Sequence, residues 1–272
     1  MKYFVFTILV LPLLACHNFD LGAQVVQATS ECEAPIDPIE PPPDLPGRSP
    51  ANTTGYCTDV ELQGSWQSGT TCLEQGVANT NRLMIVAITT EYTSGNPKAV
   101  TSVSWGGQSL AQVAEAVSNK TGGGYGTGSD VWFLSEADIQ NATGSSLSIA
   151  HSGTLDSYGV YCAFFSGVSQ ASPFSGTATD SATSSTSASA SLAGVESGLT
   201  ILVGGFGDPI GSNTLAITEP EWTTVGTQEF NNQASQIVGY KTTTDTTVDT
   251  GTITLTTSNR RPQIVLVNLQ PM

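Results

Sequence analysis

Short apolar runs separated by Gly, Ser, Asn and Pro recur along the chain from about residue 51. The run Leu83–Ile88 is continuously apolar, which predicts a buried central strand. Residues 160–165 alternate between two sets of side chains on opposite faces, which predicts another strand. Further strands are predicted at Val100–Trp105, Val131–Leu134, Ser146–His151, Leu199–Val203, Gln236–Lys241, Gly251–Thr257 and Gln263–Leu269.

Two local motifs predict a turn and a helix. Gly106-Gly107 follows the strand Val100–Trp105 and suits a two-residue hairpin turn, in which positive φ angles favour glycine. Ser135-Glu-Ala-Asp138 matches a capping box, which predicts one short helix over about residues 136–141.

Strand-sized runs and a near absence of helical periodicity indicate an all-β protein. We expect an antiparallel β-sandwich, jelly-roll-like, with that one short helix, over residues 51–272. Sandwiches of this length often form one domain. The Ser/Thr/Ala-rich segment Ser175–Leu192 predicts either a flat edge strand or a mobile connection.

The first residues have the pattern of a secretory signal. Lys2 precedes an apolar stretch that is too short to cross a bilayer as a helix, which needs about 20 apolar residues. The sequence Leu13-Leu14-Ala15-Cys16 resembles the lipobox of bacterial lipoproteins. That resemblance implies that residues 1–15 are cleaved and that the thiol of Cys16 carries a diacylglycerol. The alternative is an ordinary signal peptide with a chance cysteine.

A Pro-rich segment follows the lipobox. Residues 16–50 lack hydrophobic periodicity, and Pro-rich sequence is extended and semi-rigid. We therefore expect a disordered tether that holds the domain off the membrane. Residue 17 is His, which favours the outer membrane in the lipoproteins that this segment resembles. The expected location is the bacterial cell envelope, lipid-anchored, at the outer membrane or cell surface.

Charge narrows the range of partners. The chain has 8 Lys and Arg against 23 Asp and Glu, a formal net charge of −15. Nucleic-acid binding needs clustered Lys and Arg, so this composition argues against it. Peripheral binding to anionic lipid is disfavoured for the same reason. The lipid anchor is therefore the expected contact with the membrane.

Five cysteines are present. Lipidation of Cys16 leaves four, which allow three connectivities, and export permits disulfides. We expect Cys57 to pair with Cys72 because they are close in sequence. A bond between Cys32 and Cys162 would follow by elimination only. No Cys-x-x-Cys motif supports a redox centre or a zinc knuckle.

Four pieces of the chain look familiar together: Asn81–Val86, Val103–Leu110, Val131–Ile139 and Ala163–Phe174. They resemble a β-sandwich domain of bacterial secreted and surface proteins, often found beside immunoglobulin-like modules. The resemblance covers about residues 55–270. Its motifs are turns and core strands, so it implies a fold and no catalytic residues.

Candidate catalytic groups are few. Any Ser-His-Asp arrangement in the domain would have to use His151. Its strand parity with Leu147 and Ile149 favours instead a residue that closes a strand near the core. Glu219 and Glu221 resemble paired carboxylates in spacing, but a solvated loop is the expectation in so acidic a chain. We therefore expect no catalytic residue.

Two further patterns are weak candidates for binding. Residues 121–128 are Gly-rich but lack the Gly-Lys-Ser/Thr of a P-loop, and they predict a flexible loop. Aspartates at predicted strand ends offer the oxygen ligands that calcium prefers, without an Asp-x-Asp-x-Asp-Gly loop, so calcium stays an open alternative and no metal residue is assigned. These aspartates are Asp130, Asp156, Asp180, Asp208, Asp245 and Asp249.

Aromatic residues provide the remaining candidates. Trp105 and Trp132 lie in strand patterns, which favours core positions. Trp222 lies in a polar, loop-like setting and is the best candidate for an exposed aromatic, with a core position as the open alternative. Tyr125, in the Gly-rich segment, is the other candidate for stacking on a sugar ring.

These observations favour a non-catalytic cell-surface lipoprotein module with a structural, adhesive or assembly role. Its expected partners are a glycan or other envelope proteins. The alternative is a carbohydrate-binding module that uses Trp222 and Tyr125. A hydrolase is the least supported of the three.

Overall fold

The computed structural model describes residues 59–76, 81–92, 100–119, 125–153, 155, 157–208, 210–211, 214–232, 234–256 and 260–272. The predicted signal, the anchor at Cys16, the Pro-rich tether, Cys32 and Cys57 lie outside the described residues.

The described residues form sixteen strands and one helix, and every strand pair is antiparallel. The all-β prediction with one short helix is therefore confirmed. The elements are β1 (Glu61–Ser68), β2 (Leu83–Tyr92), β3 (Val100–Trp105), β4 (Gln108–Ser109), β5 (Ala111–Asn119), β6 (Gly126–Ser135), α1 (Glu136–Asn141), β7 (Leu147–His151), β8 (Ser157–Ser166), β9 (Phe174–Ser181), β10 (Ser187–Ala193), β11 (Gly198–Phe206), β12 (Leu215–Ile217), β13 (Thr223–Phe230), β14 (Ala234–Thr243), β15 (Val248–Leu255) and β16 (Gln263–Leu269).

These strands form two large and two small sheets. The first large sheet has the order β1-β8-β2-β6-β5, and the first small sheet has the order β4-β3-β7. The second large sheet has the order β13-β14-β11-β16-β9, and the second small sheet has the order β10-β15-β12. Both halves of the segment Ser175–Leu192 contribute edge strands, β9 and β10, so the edge-strand alternative is the correct one.

Three apolar cores join the sheets into four layers. The two large sheets pack face to face in the centre, and each small sheet covers the outer face of one large sheet. Alternate residues of β2 show the arrangement: Leu83, Ile85 and Ala87 face the second large sheet, whereas Met84 and Val86 face the first small sheet. Burial on both faces explains why the central strands read as continuous apolar runs rather than as alternating patterns.

The two large sheets have the same strand order. The first large sheet places its five strands, numbered in chain order, in the spatial order first, fifth, second, fourth, third. The second large sheet, read from β9 to β13, has the same order. The molecule is therefore two five-plus-three sandwiches joined through their large sheets.

The two local motifs form as predicted. Gly106 and Gly107 connect β3 to β4 with φ angles of 53° and 84°. Helix α1 spans residues 136–141, and the hydroxyl of Ser135 accepts a hydrogen bond from the Asp138 backbone N–H at 3.4 Å. Local sequence was sufficient for both, since each motif satisfies its own backbone requirement.

The disulfide prediction is wrong. Cys72 bonds to Cys162, with 6.2 Å between the Cα atoms. Cys162 lies in the middle of β8 on the face toward the first small sheet, and Cys72 enters the same core. The bond therefore excludes both Cys57–Cys72 and Cys32–Cys162. Proximity across a core, rather than proximity in sequence, determined the pairing.

Candidate functional site

Ends of five strands of the two large sheets meet at one end of the stack. Strand β2 ends at Tyr92 and β11 at Phe206, while β6, β8 and β16 begin at Gly126, Ser157 and Gln263. Antiparallel register and contacts between the two large sheets place them together. We call this region the polar end. The opposite end holds the starts of β1 and β2.

The core between the large sheets changes from apolar to polar as it approaches this end. On β2 the face that carries Leu83, Ile85 and Ala87 continues with Thr89 and Glu91, and both are buried. Buried polar groups must be hydrogen-bonded to offset the loss of water.

A hydrogen-bonded layer meets much of that requirement. The hydroxyls of Thr89 and Ser129 are 3.0 Å apart. The hydroxyl of Thr127 donates to the Arg261 carbonyl at 2.9 Å and lies 2.8 Å from the Gln263 amide. The two contacts of Thr127 connect β6 to the start of β16, across the two large sheets.

An ion pair lies at the outer limit of this layer. The guanidinium Nη2 of Arg261 lies 2.9 Å from Oε1 of Glu91, and their side chains are 4% and 2% exposed. The same Nη2 donates to the Gly207 carbonyl at 2.7 Å. Burial lowers the pKa of Arg261, and the charge of Glu91 opposes that shift. Among the described residues, Nε of Arg261 has no hydrogen-bond partner.

Gly207 makes room for this arginine. A Cβ at residue 207 would lie 2.1 Å from Nη2 of Arg261 and 2.2 Å from its Nε. Since both atoms belong to a guanidinium held by Glu91, a larger residue would push it out of place. The ion pair therefore depends on the end of β11 as well as on β2 and β16.

A groove opens beside this ion pair, and we call it the Arg261 groove. Its volume is about 200 Å³. Tyr125 borders it with 41% of its surface exposed, and Cζ of Arg261 lies 5.6 Å from the Tyr125 ring centroid, within cation–π range. Its lining residues are Glu91, Tyr125, Gly207, Asp208, Asn232, Arg260 and Arg261. An aromatic ring above a fixed guanidinium suits recognition of a ligand that has both an apolar face and polar groups.

A second groove, the Ser157 groove, lies at the same end and has a volume of about 290 Å³. Within the part of the chain that the structure describes, Oγ of Ser157 and Nδ1 of His151 are buried without a hydrogen-bond partner. Tyr158 beside them is 40% exposed. The lining residues are His151, Leu155, Ser157, Tyr158, Phe230 and Asn231.

The turn between β13 and β14 separates the two grooves. Asn231 lines the Ser157 groove and Asn232 lines the Arg261 groove. Both have positive φ, 59° and 52°, a conformation that asparagine tolerates better than most residues. The turn thus places two polar side chains between two exposed tyrosines.

Trp222 does not belong to this site, because it takes the core position that the sequence left open as the alternative to exposure. It is 7% exposed and packs in the core between the second large and second small sheets. Its Nε1 donates to the Thr250 carbonyl at 3.0 Å. A Cβ at Gly251 would lie 3.3 Å from the indole ring, so this glycine leaves space for the ring. The polar neighbours of Trp222 in sequence concealed a core position.

The other residues singled out from the sequence lie in strands, in the core or in polar contacts within the fold. His151 ends β7, as its parity indicated. Glu219 accepts a hydrogen bond from the Thr252 N–H at 2.9 Å, and Glu221 lies 3.5 Å from Nζ of Lys241. The two carboxylates therefore make separate contacts.

Trp105 and Trp132 are core residues, as predicted.

The aspartates considered for calcium are dispersed. Asp249 pairs with Lys241 at 2.7 Å, Asp208 with Arg260 at 3.4 Å, and Asp180 accepts the Ser189 N–H at 3.0 Å. Asp156 lies outside the described residues. No group of three or more His, Cys, Asp or Glu among the residues described is placed to hold a metal ion.

Asp130 is the aspartate with the strongest electrostatic perturbation. Burial, and to a smaller extent the charge of Glu115 opposite it on β5, raise its pKa to about 7, against the effect of a hydrogen bond from Gln112. The carboxyl is thus largely protonated below neutral pH. It lies within β6, away from both grooves' lining.

Sequence reasoning missed Glu91 and Arg261. One signal was available: Arg260-Arg261 directly precedes the last apolar strand in a chain with only 8 Lys and Arg. The charged residue Glu91, which continues the buried parity of β2, was another. Neither residue indicates the other from sequence, because 170 positions separate them.

Comparisons with models of known protein families, with curated proteins and with solved structures found no match. Within the described part of the chain, no helix has the length and apolar character needed to cross a bilayer.

Proposed function

We propose that this protein is a non-catalytic, lipid-anchored module of the bacterial cell surface that binds or adheres through its polar end. The observation that carries the proposal is Arg261, which Glu91 and Gly207 hold in a buried position at the margin of a groove below the exposed ring of Tyr125. This arrangement is preorganised, which lowers the cost of ordering side chains when a ligand binds.

Energetics support a functional reading of the ion pair. Burying two charges costs desolvation free energy that their attraction often does not recover, so apolar residues would serve stability at least as well. The core between the large sheets is otherwise apolar over most of its length. Retaining Glu91 and Arg261 at its end is therefore better explained by recognition than by stability.

The anchor has a direct test. In the full chain, Cys16→Ser should abolish labelling by a fatty-acid analogue and release the protein from the membrane fraction, because it removes the thiol that would carry the acyl chains. Two or more such chains are needed for stable attachment. Cys57→Ser in the same chain is the matched control and should leave labelling unchanged. Membrane attachment that survives Cys16→Ser would contradict the proposed anchor.

Binding is tested on intact cells that express the full chain. Such cells should adhere to plates coated with purified envelope polysaccharide or mixed glycans, and Tyr125→Ala should reduce adhesion. Val248→Ala, an exposed residue at the opposite end of the stack, should leave it unchanged. Adhesion equal to that of cells without the protein, or equal loss in both variants, would contradict the proposal.

Carbohydrate binding is the second candidate, and Tyr125 favours it. An exposed aromatic ring beside amide, carboxylate and guanidinium groups is the combination that fits a sugar, whose ring has an apolar face and peripheral hydroxyls. Trp222 no longer contributes to this candidate because it is buried.

A further inference from the structure

We infer that the Arg261 groove and the Ser157 groove are two subsites for one extended ligand, a neutral oligosaccharide, which crosses the Asn231–Asn232 turn. The inference rests on the proposed function of the polar end and specifies its ligand class.

The Ser157 groove has unsatisfied polar atoms of its own. Ser157 is 9% exposed, and its Oγ has no hydrogen-bond partner among the described residues; the same holds for Nδ1 of His151. Native proteins rarely leave buried polar atoms unpaired, so such atoms at a groove indicate a ligand or water that binds there. A hydroxyl and an imidazole nitrogen can each accept or donate, which matches the hydroxyls of a sugar.

Each groove also presents an exposed aromatic ring. Tyr158 is 40% exposed beside Ser157 and His151, and Tyr125 is 41% exposed beside Arg261. Two grooves with one tyrosine each repeat the same chemistry: a flat apolar surface next to hydrogen-bonding groups. A chain of similar sugar units would present that chemistry at regular intervals.

Register gives the distance between the two tyrosines. Tyr158 on β8 and Gly128 on β6 both pair with Thr90 on β2, and Tyr125 precedes Gly128 by three residues. Two strand spacings across the sheet and three residues along it separate the Cα atoms by about 14 Å. A single sugar ring cannot contact both tyrosines at that separation, so a ligand that reaches both grooves must be longer than one sugar unit.

Charge favours a neutral chain over an acidic one. In the Arg261 groove the two arginines are paired with Glu91 and Asp208. The described lining of the Ser157 groove carries no Asp, Glu, Lys or Arg. The whole chain has a formal net charge of −15, which repels polyanions at long range.

The experiment uses the purified full chain in lipid nanodiscs and immobilised neutral glycans graded from monosaccharides to longer oligomers, with uronate-containing oligomers alongside. Affinity should rise with length until both grooves are filled. Tyr158→Ala and Tyr125→Ala should each weaken binding of the longer oligomers by about tenfold or more, the effect of losing an aromatic anchor. Val248→Ala should bind as the parent does, and thermal unfolding checks that each variant is folded.

The outcomes separate this inference from the proposed function. Monosaccharides that bind as tightly as oligomers, or a folded Tyr158→Ala variant that binds normally, would overturn the two-subsite ligand while leaving a binding role at Tyr125. A preference for uronate oligomers would overturn the neutral ligand class. Shortening of the oligomers during incubation would identify a hydrolase and overturn the non-catalytic function. A lack of Tyr125-dependent adhesion in the cell assay would overturn the binding role.

Discussion

At the polar end, the guanidinium of Arg261 occupies the space where a side chain on residue 207 would stand. Gly207→Ala should therefore displace Arg261 and lower the free energy of unfolding by about 1–3 kcal/mol, as overpacking of a filled site does. Gly144→Ala is the matched control, since a Cβ there meets no atom within 4 Å. Urea unfolding of both variants measures the difference, and equal stabilities would contradict the packing of Arg261 against Gly207.

Asp130 makes the stability depend on pH. Its pKa is about 7 in the folded protein and near 4 when unfolded, because burial disfavours the carboxylate and Glu115 adds repulsion. As pH rises, the Asp130 carboxyl therefore ionises in the unfolded chain before it ionises in the folded protein. The free energy of unfolding is highest below pH 4 on account of this group, and it falls as pH rises from about 4 to about 7. Asp130→Asn should remove that loss, becoming more stable than the parent above pH 7 by an amount on the order of a few kcal/mol.

Urea unfolding between pH 4 and pH 8 measures this effect. Glu115→Gln should reduce the slope without abolishing it, because burial is the larger cause of the raised pKa. Identical pH profiles for Asp130→Asn and the parent would contradict a protonated Asp130.

At the scale of an element, α1 is short and depends on its cap. The hydroxyl of Ser135 accepts the Asp138 N–H and donates to its carboxylate at 2.7 Å. Ser135→Ala should lower the free energy of unfolding by about 0.5–2 kcal/mol. Ser135→Thr should keep most of the parent's stability, because the threonine hydroxyl can also cap the helix. Hydrogen exchange in α1 should speed up in the alanine variant, and equal exchange in both would argue against the cap.

Edge strands were harder to predict than central strands. Strands β1, β5 and β13 form edges of the large sheets and were missed from sequence. Each has a register shift, at Gln63/Gln67, Gln112/Ala114 and Thr224/Gly226 respectively. A shift interrupts the period of two on which a strand prediction depends. The central strands carry no such interruption where they pair with one another.

At the scale of the whole molecule, the disulfide Cys72–Cys162 connects the segment that follows β1 to β8, which lies between β1 and β2 in the first large sheet. Cys72 and Cys162 are 90 positions apart and both fully buried. Cys72→Ala with Cys162→Ala should lower the free energy of unfolding by about 2–5 kcal/mol, with Cys16, Cys32 and Cys57 unchanged. Cys57→Ala alone is the control that distinguishes this bond from the pairing expected on sequence proximity. A larger loss in the control than in the double variant would contradict Cys72–Cys162.

The two large sheets share a strand order, but the core between them is apolar toward one end and polar toward the other. Both sandwiches place strand ends at the polar end, but the apolar core between the large sheets ends there in Thr89, Glu91 and Arg261. Loops and turns at strand ends bind ligands on many rigid β scaffolds. The candidate site is thus a property of the junction between the halves, since neither half contains it alone.

The sequence by itself determined the features that depend on neighbouring residues: strands that are apolar on both faces, the glycine turn at Gly106-Gly107 and the bounds of α1. Patterns of hydrophobicity and capping act over a few residues, so they can be recognised without a fold. Tertiary structure decided the partner of Cys72, the burial of Trp222 and the meeting of Glu91 with Arg261. Each of those contacts joins distant segments through the packing of four layers, and no local pattern contains the information that brings them together.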